Sequence, residues 1–287
     1  MKDFLIRAIQ KIYLALHWCR KTFLPFLKAK HIPFANAIIG KIMRMRMKRI
    51  TTKHGFTLYL DDADSLALSY NKQYEAEETQ FFVDNVKEGM RIVDVGANIG
   101  YYTTLFSRLV GPTGFVTAFE PDPTNFSLLK KNCEVNGCNN VKLENLALSD
   151  QDGTATLHLS EVNRGDHRMS SSDENLETIE IKTVLLDDFL DHQKGFDLLK
   201  MDIQGHEFHA LKGMDRLLDR EGIIIVMEFM PEALKEADSD PRELLDFLRS
   251  KNFEIRDSEN QSEVIRSTAL DQWAESISHY TNLILQK

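Results

Sequence analysis

Two acidic residues and two glycines at fixed separations are the part of this sequence best suited to chemistry. Asp94 lies in the apolar run Arg91-Ile-Val-Asp94-Val, Gly96 and Gly100 follow it, and Glu120 closes a second apolar run, Phe115 to Phe119. The first run reads as a short buried strand, the glycines as a tight turn against which a ligand can lie closely, and Tyr101 to Leu109 as the helix that opens from it. A carboxylate roughly 20 residues past such a turn is placed to accept hydrogen bonds from the two hydroxyls of a ribose. The pattern is that of a nucleotide-binding half-domain.

The spacing also bears on which nucleoside it suits. A dinucleotide fingerprint places three glycines as G-x-G-x-x-G, and the middle position here is Asn98. No G-x-x-x-x-G-K-[ST] run occurs anywhere, so cradling of a pyrophosphate or triphosphate is poorly supported. A nucleoside without phosphates fits better, and S-adenosylmethionine is such a ligand: its ribose would bond Glu120, and its amino-acid end would lie over the glycine turn near Asp94. An NAD(P)-dependent oxidoreductase and a non-catalytic nucleoside-binding module are the alternatives.

Further acidic and polar groups fall just past the ends of other apolar runs. Asp122, within Pro121-Asp122-Pro123, either helps to hold the adenosine or caps the next helix, and Asn145 to Ala147 would border the adenine. Methyl transfer from a sulfonium is an in-line displacement in which the protein supplies alignment, desolvation and removal of the acceptor's proton. The candidates for that base are Asp202, Glu207 and His206, with His167 reachable if its loop folds over the site. Asp202 is favoured because it ends a core strand and is held rigidly, its other role being to cap a helix from Gly205. His206-Glu207-Phe-His209 fails the H-E-x-x-H zinc signature, since position 210 is Ala. Asp202 and Glu228 could share a magnesium, but no third ligand is assignable and no metal is expected.

The elements that position these residues follow from periodicity. Strands are expected over 91–95, 115–120 and 141–145, with helices over 100–109 and 123–136 between them, followed by strands over 154–160 and 178–184 flanking a long polar stretch, 162–177. A short helix over 186–193, a strand over 196–201, a helix over 205–218, a strand over 222–230, a helix over 241–251 and strands over 253–256 and 280–285 complete the order. A helix over 74–86 leads into the first core strand, and the alternating runs 42–50 and 56–60 read as a β-hairpin. The expected fold is α/β, a doubly wound and largely parallel sheet whose ligands sit at the carboxyl ends of the strands, with residues 1–70 as a helical and hairpin extension and 71–287 as the ligand-binding domain.

The chain carries a net charge of -9, yet residues 1–50 hold twelve of its 35 Lys and Arg and one of its 44 Asp and Glu. The acidic remainder argues against a nucleic-acid substrate. Phe4, Leu5, Ile9, Ile12 and Leu16 recur at helical spacing among Lys2, Arg7, Lys11 and Arg20, so residues 1–30 pack on the catalytic body, lie in an anionic membrane surface or, least favoured for want of a small-residue cleavage site, form a signal peptide. Ile12 to Cys19 is far short of the roughly 20 apolar residues of a spanning helix. Three cysteines give no disulfide framework, which makes a cytoplasmic setting the default, and Cys133 and Cys138 read as buried small side chains.

Five segments in register carry a family resemblance: Asp94-Val-Gly-Ala-Asn-Ile-Gly-Tyr-Tyr, Phe119-Glu-Pro-Asp-Pro, Leu128-Leu-Lys-Lys-Asn132, Ala147-Leu-Ser-Asp and Leu199-Lys200-Met-Asp202-Ile-Gln-Gly205-His-Glu207. Together they resemble the FkbM-type methyltransferases over roughly residues 74–230. The resemblance implies a class I methyltransferase (Rossmann-like) fold and O-methylation of a hydroxyl on a sugar, glycolipid or other small or lipid-linked metabolite. It also implies donor contacts at Asp94, Gly96, Asn98, Gly100 and Glu120 and an active-site edge at Lys200, Asp202 and Glu207. Gln204 departs from it, standing where the family usually has Glu.

Overall fold

A computed structural model describes residues 48–160, 163–170, 175–190, 195–258, 265, 277 and 280–287. The chain divides into two compact units after Tyr74. The expected amphipathic helix within residues 1–30 and the first part of the hairpin lie outside the described residues. In the first unit β1 (Arg49–Thr51) pairs antiparallel with β2 (Thr57–Tyr59), Ile50 opposite Leu58, ahead of the short helix α1 (Leu68–Asn71).

The second unit opens with α2 (Ala76–Asn85) and continues through β3 (Arg91–Val95), α3 (Tyr101–Val110), β4 (Phe115–Phe119), α4 (Pro123–Asn136) and β5 (Val141–Glu144). A three-stranded insertion follows, built from β6 (Ala147–Leu148), β7 (Gly153–Leu159) and β8 (Glu177–Val184) in the order β6-β8-β7. The chain then runs through α5 (Leu186–Phe189), β9 (Leu198–Met201), α6 (Glu207–Lys212), β10 (Ile224–Phe229), α7 (Pro231–Glu236), α8 (Pro241–Ser250), β11 (Glu254–Asp257) and β12 (Thr281–Gln286).

The main sheet has seven strands in the order β11-β12-β10-β9-β3-β4-β5, and β12 is antiparallel to both of its neighbours while the other pairs are parallel. Its central strands are buried along almost their whole length, as strands covered on both faces must be, which is why they read as apolar runs. The strand order reverses between β3 and β9, so their carboxyl ends flank the crevice in which such sheets bind ligands. Asp94 and Asp202 lie at those two ends.

Several expected elements are shorter. The helix expected over 205–218 is α6 alone, followed by a 3-10 turn at Leu217–Asp219. Met214, Leu217 and Leu218 mimic helical spacing because all three are buried in the large core cluster, not because one helix carries them. The helix α7 was not anticipated, although Pro231 at its first position is a start signal.

Candidate active site

The turn after β3 is built by its backbone. Gly96 has φ +78°, and a Cβ there would stand 2.0 Å from the Asp202 carbonyl oxygen, so glycine is what lets the ends of β3 and β9 meet. Asn98 adopts φ +51°, a left-handed conformation that Asn tolerates better than most residues, and its Oδ1 accepts from the Ile99 N–H at 2.7 Å. Gly100 has φ +88° and lies where a Cβ would be 2.6 Å from Leu129 of α4. Asn132 on α4 donates to the Ile99 carbonyl at 2.7 Å and ties the turn to that helix.

Glu120 faces this turn from the end of β4. Its carboxylate accepts from the backbone N–H of Asn98 at 2.7 Å and of Asp122 at 2.9 Å. Burial pushes its carboxyl up to about 8 although both N–H groups pull the other way. The two carboxyl oxygens have more acceptor capacity than these two bonds use, which leaves room for hydroxyls. Asn145 donates to the carbonyls of Glu120 and Pro121 at 2.8 and 2.9 Å, and so fixes the chain beyond β4.

Asp122 is the cap of α4. It accepts from the N–H groups of Thr124 and Asn125 at 2.5 and 3.0 Å, and His167 Nε2 lies 3.1 Å from its other oxygen. The Ser160 N–H donates to His167 Nδ1 at 2.9 Å, which puts the ring proton on Nε2, facing Asp122. Burial alone would raise the Asp122 carboxyl, but His167 and the capping N–H groups hold it below its ordinary value. The described part of the long polar stretch thus seats on the start of α4, and His167 is taken up by Asp122. Ala147 lies in β6 and packs its methyl group with Leu157 and Ile181 of the insertion.

Across the crevice the groups are held by one another. Lys200, 4 % exposed in the middle of β9, donates to Asp202 Oδ2 at 3.2 Å and lies 5.1 Å above the Tyr102 ring. Burial alone would lower its ammonium, yet Asp202, Glu78, Asp94 and Glu75 together raise it. Gln204 donates to Asp202 Oδ1 at 2.8 Å and to Glu228 Oε2 at 3.0 Å, one amide between two carboxyl groups. Burial, then Asp202 and Glu207, push Glu228 up to about 10. Burial, then Glu75, push Glu78 up to about 8. Asp94 is fully buried, accepts from the Thr103 hydroxyl at 2.5 Å, and is raised by that burial.

The helix-cap alternative for Asp202 is not what its side chain does, since both oxygens are engaged by Lys200 and Gln204 and α6 starts only at Glu207. Glu207 turns back instead: its Oε1 accepts from the N–H groups of Ile203 and Gly205 at 3.1 and 3.2 Å, and burial pushes it up to about 7. His206 lies 3.1 Å from the Ser149 hydroxyl and stacks on His209 with ring centres 4.4 Å apart. Burial, then His209, lower His206 to about 4. Among the three expected base candidates, Asp202 alone joins the Lys200 cluster, while Glu207 buttresses the turn behind it and His206 sits with Ser149.

Glu75 and Glu78 were not singled out from sequence. Glu75 accepts from the Tyr102 hydroxyl at 3.0 Å, and Asn282 of β12 donates to Glu78. A signal for Glu78 did exist: it precedes the buried Phe81 and Phe82 by three and four residues and therefore shares their helix face.

A mostly parallel sheet that reverses at β3/β9 and carries the antiparallel β12, a glycine turn at the reversal and an acidic residue ending the next strand define a class I methyltransferase fold. Residues 94–255, over half of the chain, match the methyltransferase FkbM domain, and the chain belongs to that family. It is 27% identical over 193 residues to "Methyltransferase 1" of Beauveria bassiana, covering 59% of this chain and 76% of that protein. It is also 27% identical over 155 residues to the hexuronic acid methyltransferase AglP of Haloferax volcanii, covering 53% of this chain and 61% of that protein. A solved FkbM methyltransferase from Methylobacillus flagellatus KT aligns with TM-score 0.43 at 16% identity, over 68% of this chain and 43% of that one. No helix among the described residues is long and apolar enough to cross a membrane.

Proposed function

We propose that this methyltransferase uses S-adenosylmethionine and transfers its methyl group to a hydroxyl oxygen of a sugar, glycolipid or other small or lipid-linked acceptor. The observation that carries the reading is the meeting of Glu120 with the Gly96–Gly100 turn through the Asn98 N–H at 2.7 Å. Glu120 keeps lone pairs for two ribose hydroxyls, and Asp94 Oδ1, buried with no hydrogen-bond partner, offers an acceptor to the amino group at the other end of the donor. Gly96, Asn98 and Gly100 shape the turn between these two carboxyl groups, Asp122 fixes the start of α4 beside it, and Ala147 lies beyond β5. Bound S-adenosylmethionine supplies an electrophilic methyl group, so the protein's own work is alignment and proton removal.

Asp202 takes the acceptor's proton. Lys200 and Gln204 each hold one of its oxygens, which fixes the carboxylate while leaving its side chain 21% exposed. Glu207 and His206 act behind it, one bracing the 203–205 turn and the other packing against Ser149. The relative named for a hexuronic acid supports a sugar acceptor, and the acidic composition beyond residue 50 supports a ligand other than nucleic acid. The basic segment 1–30 is proposed to bring the enzyme to an anionic membrane surface where a lipid-linked acceptor resides, on the cytoplasmic side.

Calorimetry with S-adenosylhomocysteine tests the donor: saturable binding that weakens on Glu120→Ala is expected, and no binding alongside saturation by NADH would overturn the reading. Incubation with methyl-labelled donor and fractionated cell extract tests the acceptor. Label in a glycan or lipid pool that survives mild alkali is expected, because a methyl ether resists hydrolysis; alkali-labile label would mean a carboxyl acceptor and no need for Asp202 as base.

A further inference from the structure

Cys133 and Cys138 occupy two positions that the end of α4 forces together. Gly137 takes φ +65°, the Cys138 N–H bonds the Cys133 carbonyl at 3.1 Å, and the Gly137 N–H bonds the Glu134 carbonyl at 3.2 Å. This is a Schellman ending, in which the residue after the left-handed glycine returns to contact the residue five before it. That contact is usually made by two apolar side chains. Here it is made by two free thiols, Cys133 buried and Cys138 partly exposed, packed against each other beside Ala118 and Leu129. A backbone hydrogen bond between the two residues themselves keeps their α-carbons within the span that a disulfide bridges.

We propose that Cys133 and Cys138 are a peroxide-reactive dithiol that closes to a reversible intrachain disulfide, with Cys138 as the attacking sulfur and Cys133 as the resolving one. The environments of the two sulfurs divide the roles. The Cys133 thiol donates to Cys138, which together with the Ser107 hydroxyl and the Arg108 charge outweighs partial burial and brings the Cys138 thiol down to about 7. The hydrogen bond to Cys138, then burial, raise Cys133 and keep it protonated. A partly exposed thiolate beside a buried resolving thiol is the arrangement that favours sulfenic acid formation followed by condensation.

In the first step the Cys138 thiolate attacks one oxygen of a hydroperoxide. The S–O bond forms, the O–O bond breaks, and the leaving oxygen takes a proton and departs as water or an alcohol. In the second the Cys133 sulfur attacks the sulfenic sulfur. The S–S bond forms, the S–O bond breaks, and hydroxide leaves with the Cys133 proton as water. The two thiols lose two electrons in all, and these reduce the peroxide.

Trypsin cleavage after Lys131 and Lys142 releases both cysteines in one peptide, 132–142, so mass spectrometry reads the chemistry directly. The full chain carrying Cys19→Ser, which leaves only this pair, is treated with hydrogen peroxide and the remaining thiols are then alkylated. The expected result is a 132–142 peptide lighter by two hydrogens and unalkylated, returning to two alkylated cysteines after dithiothreitol. Alkylation of Cys138 in the untreated chain should be half-maximal near pH 7, against about 8.5 for an unperturbed thiol. In Cys133→Ser the same peroxide should leave Cys138 as a sulfenic acid trapped by dimedone. Two alkylatable thiols after peroxide, or Cys138 passing to sulfinic acid with Cys133 still free, would overturn the proposal. Absence of the dimedone adduct in Cys133→Ser would overturn the assignment of the attacking sulfur.

Discussion

The two edges of the crevice hold their carboxyl groups by different means. On the β3/β4 edge the main chain does it: Glu120 is pinned by two backbone N–H groups, and the turn that supplies one of them is shaped by left-handed residues at 96, 98 and 100. On the β9/β10 edge side chains hold side chains: Lys200, Asp202, Gln204 and Glu228 are joined to one another, with Glu75 and Glu78 nearby. The first arrangement is fixed once the backbone is folded. The second depends on charge balance among groups from four different elements, and a single substitution can upset all of it.

Replacing Lys200 should therefore have the largest effect. Lys200→Met keeps the length of the side chain but removes the cation that Asp94, Asp202 and Glu78 share, and losing one partner of a buried ionic cluster costs about 3–5 kcal/mol. Urea denaturation at pH 7 should show that loss, and a smaller one at pH 5, where the orphaned carboxylates can take up protons. A loss below about 1 kcal/mol at pH 7 would mean that the cluster is hydrated rather than mutually held.

The β3/β4 edge should respond instead to backbone changes. Gly96→Ala forces a Cβ to 2.0 Å from the Asp202 carbonyl at φ +78°, with an expected cost of about 3 kcal/mol. Gly137→Ala, at φ +65° with nothing within 4 Å of the new Cβ, carries only the left-handed penalty of about 1 kcal/mol. The difference between the two in chemical denaturation isolates the closeness of β3 to β9. Equal losses would show that the turn can open.

The same contrast accounts for what could be read from sequence. The turn and Glu120 were legible because the conformations they need are local: Gly96, Gly100 and two apolar runs announce them within thirty residues. The parallel sheet and its reversal followed from the alternation of those runs. Asp202 was legible as a residue beyond a strand end, but the bridge from Gln204 to Glu228 spans 24 residues and its amide reads as a departure until β10 is seen beside β9. Glu207 and His206 stood next to Asp202 in sequence, yet the tight 203–205 turn sends their side chains to other partners. Asp122 left two roles open, and its capping and its contact with His167 became visible only when residues 163–170 were seen on the start of α4.

Kinetics should separate the edges by which constant changes. Asp202→Asn removes the proposed base and keeps one oxygen, for Lys200, while its new amide N–H2 faces the Gln204 amide, so kcat should fall about 100-fold while the dissociation constant for S-adenosylhomocysteine stays within about twofold. Glu120→Gln should do the reverse, weakening that ligand about tenfold, the equivalent of 1.4 kcal/mol for one hydrogen bond, with kcat at saturating donor nearly unchanged. Both constants moving together in either variant would mean that the edges act as one unit.

The last expected effect grows with pH and concerns the proton on Glu228. Its folded carboxyl is raised to about 10, far above the roughly 4.3 of an unfolded glutamate, so between those values the folded chain binds a proton that the unfolded chain has lost. Stability must then fall as pH rises through that window, by at most about 1.4 kcal/mol for each pH unit from this group. Glu228→Gln has the shape of the protonated acid, still accepts from Gln204, and cannot ionise. It should match the parent near pH 4.5 and become progressively more stable than it between pH 6 and 8, with the gap read from thermal unfolding at each pH. A gap that stays constant with pH would show Glu228 to be ionised in the folded state, and the negative charge on the Asp202 edge would then be balanced by something other than that proton.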